Sequence, residues 1–83
     1  MKVKVKLYAT LMDCLPPGTK GHEVAVEVDD DACIGEVLGR FALPERLTHL
    51  VLVNGYFVAR EARPTWQLKE GDQLAVWPPV AGG

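Results

Sequence analysis

The chain has no serine, and its 83 residues include only two histidines, His22 and His49, and two cysteines, Cys14 and Cys33. Without serine there is no serine–histidine couple and no GxSxG elbow, and no Gly-rich phosphate loop is present either. The two cysteines are isolated, with no CxxC and no histidine at ligand spacing. They read as buried or half-buried thiols rather than as a disulfide or a metal site. An iron–sulfur centre needs more cysteine ligands than the chain possesses. His22 and His49 therefore read as surface or packing residues, and the chain is expected to have no autonomous active site and no bound cofactor. The net charge of −2 gives no broad attraction for nucleic acid. No apolar run approaches the ~20 residues that span a bilayer, and the N-terminus lacks the hydrophobic core of a signal peptide, so a cytoplasmic location is expected.

What is present is the composition of one small ordered domain: 48% of residues are hydrophobic and 24% charged, which disfavours disorder. In "MKVKVKLY", Val3, Val5 and Leu7 alternate with Lys2, Lys4 and Lys6, which predicts a strand over 2–8 with one buried face and one wet face. The lysines read as a solvated face or as a dock for an acidic partner. "EVAVEV" predicts a second strand over 23–28, with Val24, Val26 and Val28 on one side. "ATLMDCL" reads as a helical turn and "PPGTKG" as a surface loop.

Ile34, Val37, Leu38 and Phe41 fall at i, i+3, i+4 and i+7, predicting a helix over 32–42. Asp30 or Asp31 should cap it, and Pro44 should stop it at Leu43. "DDD" reads as capping and solvation rather than as a metal site. "LVLV" at 50–53 predicts a central strand, Asn54-Gly55 a tight hairpin, and 56–59 the returning strand. After a Pro turn and a short crossover near Trp66–Leu68, a final strand over 73–77 should turn Leu74 and Val76 inward. Trp66 and Phe57 are expected to pack in the core. The order strand, strand, helix, strand, strand, strand, with a right-handed crossover, predicts an α+β fold: a mixed sheet of the ubiquitin-like, β-grasp kind with one main helix across one face.

The chain then ends in "VWPPVAGG". Pro78 and Pro79 fix φ and remove two N–H groups, so the sheet ladder cannot continue and the chain leaves extended. At ~3.3 Å per residue, residues 78–83 reach about 20 Å, far enough to probe a catalytic centre in another protein. Gly82 and Gly83, lacking Cβ atoms, can thread a narrow site. The α-carboxylate of Gly83 is the one unusual functional group, a weak electrophile that a partner must activate, for example as an acyl-adenylate. The expected organisation is a β-grasp domain over 1–77 and a flexible Gly-Gly tail over 78–83.

The tail "PPVAGG", the preceding "LKEGDQLAVWPP", the "VNG" turn and the alternating first strand together resemble the MoaD/ThiS sulfur-carrier family over essentially the whole chain, nearest its MoaD branch. The resemblance implies a cycle in which an E1-like adenylating enzyme uses ATP to activate Gly83, sulfur transfer makes a thiocarboxylate there, and the tail inserts into the large subunit of molybdopterin synthase. There it donates sulfur to precursor Z during molybdenum cofactor biosynthesis. It makes Gly83 the activated residue and Gly82 its access partner, with Pro78, Pro79, Val80 and Ala81 in the inserted tail. Thiamine or another sulfur-transfer pathway, a ubiquitin-like modifier and a pure binding module stay open as alternatives. Two stretches depart from the family pattern. Cys33 stands before Gly35-Glu36 where threonine is frequent, which passes capping to Asp30 or Asp31, and "LMDCLPPGTKG" replaces a charged helical stretch.

Overall fold

The computed structural model describes residues 1–80. Five strands form one mixed sheet: β1 (Lys2–Leu7), β2 (Glu23–Glu27), β3 (Leu50–Val53), β4 (Tyr56–Phe57) and β5 (Gln73–Trp77), in the spatial order β2-β1-β5-β3-β4. One helix, α1 (Ile34–Arg40), covers one face. β1 pairs antiparallel with β2, so Val3 lies opposite Val26 and Val5 opposite Val24. β5 runs parallel to β1, with Val5 beside Leu74, and antiparallel to β3, with Leu50 beside Trp77.

Strand parity decides what is buried. Val3, Val5, Leu7, Val51, Val53, Leu74 and Val76 all face α1 and join Ile34, Val37 and Leu38 in one core. Each such side chain contributes about 1.5–3 kcal/mol when fully buried. The alternate residues, including Lys4, Lys6, Ala75, Trp77, Leu50 and Leu52, belong to the opposite face, which no helix covers. Lys4 and Lys2 are tied across to Glu23 and Glu27 of β2 at 3.3 and 3.9 Å, so most of the lysine stripe is locally neutralised.

Several expectations need correction. LVLV is an interior strand as expected, β3 lying between β5 and β4, while the middle of the sheet belongs to β5. β4 stops after Phe57 instead of running to residue 59, because the chain turns into a 3₁₀ turn at Arg60–Ala62. α1 is shorter than predicted and is capped by neither Asp30 nor Asp31. Its N-cap is Cys33, which makes no capping hydrogen bond to the backbone. The free N–H groups at the helix start are satisfied by the crossover chain instead: Ile34 N–H donates to the Trp66 carbonyl (3.0 Å) and Gly35 N–H to the Arg63 carbonyl (3.1 Å). Asp30 meets the N-terminal ammonium of Met1 at 3.0 Å. Pro44 is not the stop either. The helix ends at Arg40, and Ala42 takes a left-handed backbone conformation (φ +54°) before Pro44 is reached. Phe57 and Trp66 are not core residues; both lie exposed, Phe57 at 62%. Phe57 pairs with Leu52 at the sheet edge, where no further element covers it.

Candidate functional site

The central strand β5 carries the chain to the predicted tail, and its two ends are held differently. At the leading end, Gly71 adopts φ +83° and sends the chain into Asp72. The Asp72 carboxylate accepts from Lys69 N–H (2.8 Å) and from Asn54 Nδ2 (2.9 Å), while Asn54 Oδ1 accepts from Gln73 N–H (2.9 Å). Asn54 and Gly55 both take positive φ, as a tight hairpin between β3 and β4 requires. The "VNG" and "GD" motifs, 18 residues apart at Asn54 and Asp72, are thus two halves of one staple.

At the trailing end, backbone and aromatic surface do the holding. Tyr8 N–H donates to the Val76 carbonyl (3.2 Å), and His49 N–H to the Trp77 carbonyl (3.0 Å). Tyr8 stacks face to face on Trp77, with ring centroids 4.2 Å apart and planes 2° from parallel, and the His22 ring lies tilted against Tyr8 with centroids 4.7 Å apart. Lys6, Tyr8, Leu52, Ala75 and Trp77, with Asn54 and Gln73 from the staple, line an open groove of about 360 Å³ on the uncovered face. Among the described residues Lys6 has no ion pair, so this mixed surface carries one free ammonium beside the aromatic stack. Aromatic and aliphatic surface mixed with polar groups, on a face no helix covers, is the make-up of a protein-docking surface.

Pro78 follows Trp77 half-buried, and Pro79 and Val80 are exposed, Val80 at 80%. Ala81, Gly82 and Gly83 lie outside the described residues. Of the histidines, His22 is spent on Tyr8 and His49 serves through its backbone. Tyr8 was missed by sequence reasoning. The alternation of β1 places it on the lysine side, but its meeting with Trp77 depends on the parallel pairing of β1 with β5, which no local pattern announces. Arg63, buried to 5% exposure, was missed because an arginine in a polar turn reads as surface.

The ThiS family model matches residues 5–83. Among solved structures the chain is similar to SAMP1 from Haloferax volcanii, a small archaeal modifier protein, at 28% identity with a TM-score of 0.71 over the whole of both chains. It is similar to a putative molybdopterin converting factor, subunit 1, from Pyrococcus furiosus at 25% identity and a TM-score of 0.69, covering 95% of this chain and 98% of that one. A chain in the complex of subunits 1 and 2 of molybdopterin-converting factor from Helicobacter pylori shares the fold over the whole of both chains, at 22% identity and a TM-score of 0.59. No curated protein matches by sequence. The mixed sheet with one main helix is therefore the β-grasp fold predicted from the order of elements.

Proposed function

The chain belongs to the ThiS family of ubiquitin-like sulfur carriers, and from that premise we propose that it serves molybdopterin synthesis, with Gly83 as the atom-carrying residue. The observation that supports this reading best is the likeness, over nearly all of both chains, to the Pyrococcus furiosus protein described as subunit 1 of a molybdopterin converting factor. In this reading an E1-like enzyme spends ATP to join the Gly83 carboxylate to AMP with release of pyrophosphate. A persulfide-type sulfur donor then displaces AMP to give an acyl disulfide, and a thiol attacks the donor's sulfur, leaving the thiocarboxylate and a disulfide between that thiol and the donor. Sulfur has a lower-charge-density anion than oxygen and is the better nucleophile, so the thiocarboxylate can attack the pterin precursor held by the large synthase subunit.

The domain contributes position rather than chemistry. β5 is anchored on both sides up to Trp77, so the root of the tail is rigid, and Pro78-Pro79 sets its direction. Val80, Ala81 and Gly82 then occupy the partner's channel, where small side chains and bare backbone fit. The groove beside Tyr8 and Trp77 docks the partner and aims the tail. The test is intact-mass measurement after expression beside the activating enzyme and a sulfur donor. The mass must rise by the difference of sulfur for oxygen, located at Gly83 by fragmentation, and the product must convert precursor Z when the large subunit is added. An intact tail without that mass change rejects the reading.

A second reading is favoured by the likeness to SAMP1: attachment of Gly83 to lysine side chains of other proteins. Peptide mapping of cell extracts separates the two, since the modifier leaves isopeptide-linked Gly83 on target lysines and the carrier does not. The thiamine route is separated by supplying a thiazole synthase in place of the large synthase subunit.

A further inference from the structure

A groove of about 310 Å³ lies between α1 and the turns that precede β3 and follow β4, on the helix side of the sheet and away from the Tyr8–Trp77 surface. Gly35 and Gly39, one helical turn apart, expose bare backbone along it, Leu38 and Leu43 make it apolar, and Arg60 and Arg63 line it. A Cβ placed at Gly39 would meet nothing within 4 Å, so the space over the helix there is open.

Arg63 is the unusual member. It is 5% exposed, yet among the described residues no carboxylate pairs with it; the nearby Glu45 is engaged by Arg60 at 3.3 Å. Its Nη1 donates to the Thr48 carbonyl (2.7 Å) and to Thr48 Oγ1 (3.1 Å), and its Nη2 to the His49 carbonyl (3.3 Å). Nε has no partner. Nε–H shares the side-on edge of the fork, the edge that can grip a carboxylate, with Nη2, whose bond to His49 is the longest of the three. A buried donor without an acceptor is rare and calls for a ligand or a water. Of the charged residues that line the groove, two are guanidinium groups and one is the carboxylate of Glu45, with Glu61 acting on Arg63 from beyond the lining.

The groove also adjoins the tail root. Arg63 holds the His49 carbonyl, and the next bond along is His49 N–H to the carbonyl of Trp77, the last residue before Pro78. Its volume is at the lower limit for small-molecule sites, ~300 Å³, which suits one side chain better than a cofactor.

We propose that this groove is a second docking point, taking an aspartate or glutamate side chain from the protein that receives the tail, held by Arg60 and by the unpartnered Nε–H of Arg63. The source of the carboxylate rests on the sulfur-carrier reading; the carboxylate site itself does not. Two partner elements would then bracket the tail root, one on the aromatic face and one behind it.

The first experiment uses the free full-length chain, ¹⁵N-labelled, titrated with sodium acetate against sodium chloride at equal ionic strength while the Arg63 Nε–H resonance is followed. A saturable acetate-specific shift is expected. Gly39→Leu should abolish it by filling the groove, with the rest of the backbone spectrum unchanged, because the new side chain enters empty space. Arg60→Gln, at an exposed position, should weaken acetate binding several-fold. No saturable shift overturns the proposal, and a shift with inorganic phosphate but not acetate overturns it in favour of a small-anion site. The second experiment measures affinity of the whole chain for the large synthase subunit: Gly39→Leu should weaken it at least tenfold. Unchanged affinity overturns the partner as the source of the carboxylate, while failure of the mass change at Gly83 rejects the sulfur-carrier reading and leaves the acetate result standing.

Discussion

The two ends of β5 do opposite jobs with different chemistry. The leading end is locked by side chains, Asn54 and Asp72, whose bonds leave little freedom in the turn. The trailing end is held only by backbone bonds to Val76 and Trp77 and by one aromatic stack, and it presents that stack to solvent. A strand fixed firmly where it begins can leave its other end free of side-chain polar ties, and under the proposed function the surface there meets the partner. Under the proposed function the five residues of one strand thus join a side-chain staple at one end to an aromatic contact surface at the other.

The comparison breaks most completely at the middle of the strand. Leu74 is fully buried between both ends, and Leu74→Ala should cost about 2–5 kcal/mol. That is a large share of the ~4–12 kcal/mol available to a domain of this size, and urea denaturation should show the midpoint collapse. Trp77→Ala tests the trailing end alone. Under the proposed function it should cost about 2 kcal/mol in partner affinity, as a central aromatic anchor does, but only about 1 kcal/mol in folding stability. Calorimetric titration beside thermal melting checks the split, and equal losses would show that the stack is merely structural.

Asp72→Ala tests the leading end. It strands Lys69 N–H and Asn54 Nδ2 and should cost about 1–2 kcal/mol of stability with partner affinity unchanged. The smallest effect is a pH response. The hydrogen bond to Asp30, aided by the charges of Asp30, Glu27 and Glu70 and opposed by partial desolvation, raises the α-ammonium of Met1 above its ordinary value of 8.0. A raised folded value means that the contribution is fully present below about pH 8 and is lost as pH climbs through the folded value. Melts between pH 7 and pH 10 should show a small alkaline decline that Asp30→Asn removes. Amide shifts should move near Met1 and Asp30 and stay still at Tyr8 and Trp77.

Much of this fold was legible in the chain because parity and turn chemistry are local. Alternation in β1 and β2, the Asn54-Gly55 hairpin and the inward Leu74 and Val76 all stand where the pattern put them. The failures share one cause, which is competition from distant chain. Asp30 and Asp31 look like caps, but carbonyls of Arg63 and Trp66 reach the helix start first. Phe57 and Trp66 look like core, but a two-residue edge strand offers nothing to cover them. Arg63 looks like surface, but the carbonyls of Thr48 and His49 draw it inward.

The sequence by itself determined which residues face inward on each strand, where the hairpin turns and that regular pairing ends at Pro78, because these follow from side-chain alternation, left-handed backbone preferences and a missing N–H. Only the tertiary structure decided that β5 lies between β1 and β3, and therefore that Tyr8 meets Trp77 at the root of the tail and that Arg63 braces it from behind. Strand order is set by the whole core being buried at once, and no short stretch of residues carries that information.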